Sequence, residues 1–159
     1  MKRSILFFGF LSAILFATTA SAASFHCSDY RGDRVDFRSS PEVTKIAIAG
    51  YSFGGNPVIW ENDGLGAEWD SLMKQYAYYY ECGRHVVGNT LRDNGHNYES
   101  WNQVSLADCW AASKLVISEG VSKEDIEALQ TQLNEMEREQ WARFPGPVRV
   151  LDLVKDCRI

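Results

Sequence analysis

Three short stretches in the first half of the chain show the hydrophobic patterning typical of β-strands. They are residues 34–38, 45–51 and 58–60. Turn-forming residues separate them, including Gly54-Gly55 followed by Asn56-Pro57. Alternating or short apolar runs bounded by such turns indicate strands, and the short connections favour antiparallel neighbours. The pattern therefore predicts a small antiparallel sheet near the N-terminus.

From residue 67 onward the hydrophobic period lengthens to three or four residues. Trp69, Met73, Tyr76 and Tyr80 recur at a spacing that places them on one face of a helix. The sequence predicts four helices, over residues 67–88, 104–118, 122–141 and 148–157. Strands followed by a run of helices are typical of an α+β domain.

The N-terminus has the organisation of a secretory signal peptide. Lys2 and Arg3 precede an apolar run over residues 5–16, and Ala20-Ser21-Ala22 supplies small residues at the cleavage positions. We expect cleavage before Ala23, which leaves residues 23–159 as one domain; an uncleaved N-terminal anchor is the alternative. No second apolar run is long enough to cross a membrane. The predicted location is periplasmic or secreted.

The charge of the processed chain is strongly negative. Residues 1–22 include Lys2 and Arg3 but no acidic residue, so the formal net charge falls from −5 to −7 on cleavage. Nucleic acids and anionic membranes are bound by basic surfaces. Neither is expected as a partner.

All four cysteines, Cys27, Cys82, Cys109 and Cys157, lie in the part predicted to be exported. Disulfides persist outside the cytoplasm, and four cysteines allow three pairings. We favour Cys82–Cys109, which would join two core helices, and Cys27–Cys157, which would close the largest loop. A four-cysteine zinc site is the competing interpretation, disfavoured because no Cys-x-x-Cys pair is present.

Two segments of the helical half resemble motifs of one family. Residues 79–88 read Tyr-Tyr-Glu-Cys-Gly-Arg-His-Val-Val-Gly, and residues 104–111 read Val-Ser-Leu-Ala-Asp-Cys-Trp-Ala. They resemble the His-Glu-Cys-Gly-His-His helix and the Glu-x-x-Ala-Asp-Cys-Trp-Ala helix of gluzincin-like secreted zinc metallopeptidases. The tail from Pro145 to Cys157 resembles the closing segment of that family. The resemblance implies a zincin-like helical core.

The departures from the family pattern fall on its metal site. The resemblance places zinc ligands at positions that here hold Tyr80, Arg84 and Val104, while Glu81 and Asp108 are retained. Valine has no donor atom, arginine stays protonated, and tyrosine ligates only as a phenolate. A catalytic zinc site uses three protein ligands. We therefore expect no metal and no other cofactor at this site.

A buried cation offers a replacement for the metal. We expect Arg84 to point into the vacated pocket and to pair with Asp108 or Glu81, because an unpaired buried acid is costly. Tyr80 lies one helical turn before Arg84 and is expected either to stack on it or to accept a hydrogen bond from it.

The predicted function is that of a catalytically inactive pseudo-peptidase that binds a peptide or protein partner in the residual cleft. One alternative is an active zinc peptidase with a non-standard site built from Glu81, His85 and His96. Another is a structural protein of the cell envelope. Glu81 is vestigial under the first interpretation and catalytic under the second.

Overall fold

The computed structural model describes residues 25–92 and 100–159. The predicted signal peptide and His96 lie outside these ranges, so the cleavage site and the domain start stay predictions. No helix within the two ranges is long and apolar enough to cross a membrane.

Strands form one three-stranded sheet near the N-terminus. They are β1 (Asp36–Ser39), β2 (Ala47–Tyr51) and β3 (Pro57–Glu61), in the order β1-β3-β2. The β2–β3 pair is an antiparallel hairpin, whereas β1 runs parallel to β3. The prediction of an all-antiparallel sheet was therefore wrong for β1. Side chains alternate in the same way in parallel and antiparallel strands. The hydrophobic pattern therefore does not indicate strand order, and it could not predict that β3 lies between β1 and β2.

In the described part of the chain, five helices follow the sheet, and they confirm the α+β class. They are α1 (Ser71–Val86), α2 (Trp101–Glu119), α3 (Lys123–Asn134), α4 (Arg138–Arg143) and α5 (Leu153–Asp156), with short 3₁₀ turns at Asp63–Gly66 and Asn89–Arg92. Side-chain caps set several starts: Asp70 accepts from the Met73 N–H, and Ser100 forms a capping box with Gln103.

The first two predicted helices differ from α1 and α2 by one to four residues at their ends, and the last two differ more. The helix expected over residues 122–141 is divided into α3 and α4, because Glu135 ends the first and Glu137 caps the second. The helix expected over residues 148–157 shortens to α5, because Asp152 caps it and residues 148–152 form no regular secondary structure.

The core lies between the sheet, α1 and α2. A Cβ atom placed on Gly83 of α1 would lie 2.9 Å from the Ala107 carbonyl oxygen of α2, so the two helices meet at a position where only glycine fits. This approach brings the face of α1 that carries Tyr80 against α2. Tyr76, Tyr80, Ala107 and Ala111 are all fully buried.

Both disulfides join pairs other than those favoured above. They are Cys27–Cys82, with Cα atoms 5.8 Å apart, and Cys109–Cys157, with Cα atoms 4.9 Å apart. Ala107 faces α1, and two residues correspond to about 200° around a helix, so Cys109 points away from α1 and towards the C-terminal segment. The expected Cys82–Cys109 and Cys27–Cys157 pairs were therefore wrong, although the chain is disulfide-bonded as predicted.

Candidate functional site

Helices α1 and α2 carry all five positions of what we call the vestigial site: Tyr80, Glu81, Arg84, Val104 and Asp108. Four of the side chains are buried, and the Arg84 side chain is only 15% exposed. The site is thus part of the core, with Arg84 at its edge.

Glu81 is held at the edge of the sheet. Its Oε2 atom accepts the Ala49 N–H of β2 at 2.7 Å and Arg84 Nη1 at 2.9 Å. Strand β2 is an edge strand, so Glu81 satisfies a main-chain donor that no neighbouring strand would satisfy. One oxygen of Glu81 therefore has a structural role.

Asp108 is enclosed by a different set of donors. Arg149 binds it through two parallel hydrogen bonds, Nε to Oδ2 at 2.9 Å and Nη2 to Oδ1 at 2.6 Å. The Tyr76 hydroxyl also donates to Oδ1, at 2.6 Å. Burial, together with the charge of Asp108, raises the pKa of Tyr76 well above its usual value. Burial opposes the charge of Arg149, but Asp108 overrides it and raises the pKa of that guanidinium.

The guanidinium of Arg149 fills the space between two aromatic rings. Its Cζ atom lies 4.6 Å from the ring centre of Tyr80 and 4.9 Å from that of Trp141. Its Nη1 atom donates to the carbonyls of Pro145 and Pro147, at 3.2 and 2.9 Å. Such a stacked, bidentate arrangement suits arginine better than lysine.

The replacement cation predicted above is therefore shared between two arginines. Arg84 pairs with Glu81, as expected, while the ion pair with Asp108 and the stack on Tyr80 belong to Arg149. Sequence reasoning missed Arg149 because it lies 41 residues from Asp108. The signal available was an arginine directly after a Pro-Gly-Pro-Val turn in the tail.

Lys45 adds a third positive charge to this part of the core. Its Nζ atom donates to the carbonyls of Phe144 and Gly146, at 2.6 and 3.1 Å. Burial lowers the pKa of Lys45, and the nearby Glu81 opposes that shift. Glu81 thus has two positive groups near it, Arg84 and Lys45, while Asp108 pairs with Arg149.

The residues at the vestigial site do not fit a zinc ion. Val104 offers no donor, Arg84 is a cation, and the ring of Tyr80 lies against the guanidinium of Arg149. Across residues 25–92 and 100–159, no group of three or more His, Cys, Asp or Glu side chains is arranged to hold a metal ion.

His85, the centre of the alternative site, is fully buried and hydrogen-bonded at both ring nitrogens. Nε2 lies 3.0 Å from the Val58 carbonyl oxygen, and Nδ1 lies 3.1 Å from the Thr90 hydroxyl. A carbonyl only accepts, so Nε2 carries the proton and Nδ1 accepts from Thr90. Burial lowers the pKa of His85 and keeps the ring neutral. Metal ligation by His85 would require breaking one of these hydrogen bonds.

A second region, which the sequence did not single out, is an open groove of about 690 Å³ beside β1. We call it the β1 groove. Its walls include Phe25, Phe37, Glu61, Tyr78, Tyr79 and Glu119. Tyr79 donates to Glu119, and Tyr78 donates to Asp63 at 2.9 Å. Burial, together with the neighbouring Asp63, raises the pKa of Glu61.

Comparison of the chain with models of known protein families, with curated proteins and with solved structures gave no match. The family resemblance therefore rests on the motifs of the sequence alone.

Proposed function

We propose that this protein is an exported, non-catalytic relative of secreted metallopeptidases that acts by binding a peptide or protein partner. The observation that carries the proposal is the doubly hydrogen-bonded pair of Arg149 with the retained Asp108. Asp108, an acid that the family resemblance retains beside the lost ligand positions, is here neutralised by a permanent cation. The Arg149–Asp108 ion pair thus places a positive charge next to the positions that would have to supply zinc ligands.

The position of Glu81 supports the same conclusion. In a zinc peptidase this glutamate polarises a metal-bound water and takes up its proton. Here Oε2 accepts from Ala49 and Arg84, and both contacts would weaken on protonation. Glu81 is therefore suited to tying α1 to the edge of β2.

Two disulfides within a small domain support export, because such bonds persist in oxidising compartments. The predicted signal peptide leads to the same compartment.

Metal content and peptide hydrolysis together test the proposal. The protein is purified after export from an expression host without added metal, and bound metals are measured by mass spectrometry. We expect no stoichiometric transition metal and no chelator-sensitive cleavage of a fluorescence-quenched peptide library. We also expect no change in melting temperature with EDTA or zinc, because a ligand that binds only the folded state would raise it.

Stoichiometric zinc together with cleavage that EDTA abolishes would overturn the proposal. Loss of both in a His85→Gln variant would then favour the site built from Glu81, His85 and His96.

A further inference from the structure

The β1 groove combines apolar walls with a carboxylate that lacks a partner. Phe25 and Phe37 meet edge to face, with ring centres 4.8 Å apart, and Phe25 also packs on Tyr79 at 4.3 Å. Glu61 is half-buried at the end of β3, and its carboxylate makes no hydrogen bond or ion pair with any other described residue. Because partial burial without a partner disfavours a carboxylate, a cation bound at this position would stabilise the charged form of Glu61.

The negative charge at this position extends beyond Glu61. Asp63 accepts from Tyr78, and Glu119 accepts from Tyr79, so each tyrosine hydroxyl directs its hydrogen towards a carboxylate. Aromatic faces and carboxylates together attract ammonium and guanidinium groups. The net charge of the processed chain would also steer a cationic ligand towards the protein.

The lining of the groove also includes two basic residues. Arg34 lies two residues before β1 and Arg38 lies within it; both are exposed, and Arg38 pairs with Asp36 at 3.1 Å. A ligand that contacts both Glu61 and Arg34 needs a cation for the first and an acceptor, such as a carbonyl or carboxylate, for the second. A peptide carries both groups, whereas a free polyamine carries only the first. The groove volume, about 690 Å³, is also in the range of sites that enclose a ligand much larger than one amine.

We propose that the β1 groove binds a basic peptide segment of a partner protein, with a lysine or arginine side chain of that segment paired to Glu61. The apolar stem of the side chain packs on Phe37 and Tyr78, and the peptide carbonyls face Arg34. This inference rests on the proposed function in one respect: both hold that the protein acts by binding a peptide or protein partner. It is independent of the vestigial site.

A random decapeptide library displayed on phage tests the inference against the purified, oxidised protein. We expect selected sequences to share a lysine or arginine at one fixed position. The most enriched peptide is then synthesised with a fluorescent label, alongside a version with glutamine at that position. Fluorescence anisotropy measures both against the wild type and the Glu61→Gln variant, and Glu42→Gln serves as the matched control because Glu42 is exposed and outside the groove.

Glu61→Gln should weaken binding about tenfold, and the lysine-to-glutamine peptide should lose a similar factor. The two changes together should lose little more than either alone, because they remove the same ion pair. Glu42→Gln should bind as the wild type does. Circular dichroism confirms that the isosteric variants are folded, and the change on the peptide side is free of any folding effect.

Selection without a basic residue, failure to select any peptide, or additive effects of the two changes would overturn the inference. Competition by spermidine at concentrations as low as those of the peptide would identify a free amine as the ligand and would also overturn it. Zinc-dependent peptide cleavage together with basic-peptide binding that depends on Glu61 would contradict the proposed function but support the β1-groove inference. Failure of one proposal can therefore be told apart from failure of the other.

Discussion

The vestigial site and the β1 groove differ in whether their carboxylates are paired with cationic side chains of the protein. At the vestigial site, Glu81 and Asp108 are buried, and each pairs with an arginine. In the β1 groove, Glu61 is half-buried and has no protein partner among the described residues. A buried charge must be paired within the protein, whereas a carboxylate at an open groove can be paired by water or a ligand. The difference separates a region that holds the fold together from one that is available for binding.

This difference predicts unequal energetic effects of removing charge in the two regions. Removing one partner of a buried pair strands the other and costs about 3–5 kcal/mol, whereas exposed pairs contribute about 0–1 kcal/mol. Measurements of folding stability can therefore test the comparison without knowledge of the ligand.

The largest effect is expected for Arg149→Met. The variant removes the partner of Asp108 and the cation between Tyr80 and Trp141, so we expect the free energy of unfolding to fall by about 3–5 kcal/mol. Urea denaturation of the wild type and the variant, monitored by circular dichroism, measures this loss in the free energy of unfolding.

The matched control is Arg38→Met, which removes an exposed pair with Asp36 at the rim of the β1 groove. We expect a loss below about 1 kcal/mol. The double variant Arg149→Met/Asp108→Leu should recover part of the loss, because no unpaired charge is left. Equal losses for the two arginines would contradict the proposed difference between the regions.

A pH-dependent effect of intermediate size is expected from His85, which is buried close to Arg84. Burial lowers the pKa of His85 below its usual value of 6.5. The unfolded chain then binds a proton that the folded protein excludes, so stability is fully present above pH 6.5. It is lost as pH falls towards the folded pKa, at up to about 1.4 kcal/mol per pH unit.

Denaturation of the wild type and of His85→Gln at pH 7, 6 and 5 separates this effect from that of other groups. We expect the difference in stability between them to shrink as pH falls, because glutamine does not titrate. A constant difference would mean that the His85 ring is not held neutral by burial.

The smallest effect is expected for Glu61→Gln. Burial raises the pKa of Glu61, so the folded protein favours the neutral form and loses stability as pH rises above the ordinary value of 4.5. At pH 7 the variant should be as stable as the wild type or slightly more stable, within about 0.5 kcal/mol. Denaturation beside Glu42→Gln measures it, and a loss above that limit would indicate that Glu61 has a structural partner.

The sequence predicted the local structure well where it depends on neighbouring residues. The helix that carries Glu81 and Arg84 was placed by spacing, and the i, i+3 ion pair between these residues follows from their separation. The sequence also predicted that the residues at the presumed ligand positions are unsuited to zinc, because the ability to ligate a metal is a property of each side chain. Features made by distant segments were missed, including the Arg149 pair and the groove between β1 and α1.

By itself, the sequence determined the α+β class, the helical second half of the chain, and the unsuitability of Tyr80, Arg84 and Val104 for zinc. These depend on hydrophobic period and on donor chemistry, both of which can be read along the chain. Only the tertiary structure decided the parallel β1, the Cys27–Cys82 and Cys109–Cys157 bonds, and the pairing of Asp108 with Arg149. Each of these requires two segments to meet in space, and the direction in which a side chain leaves a packed helix is fixed only when its neighbours are in place.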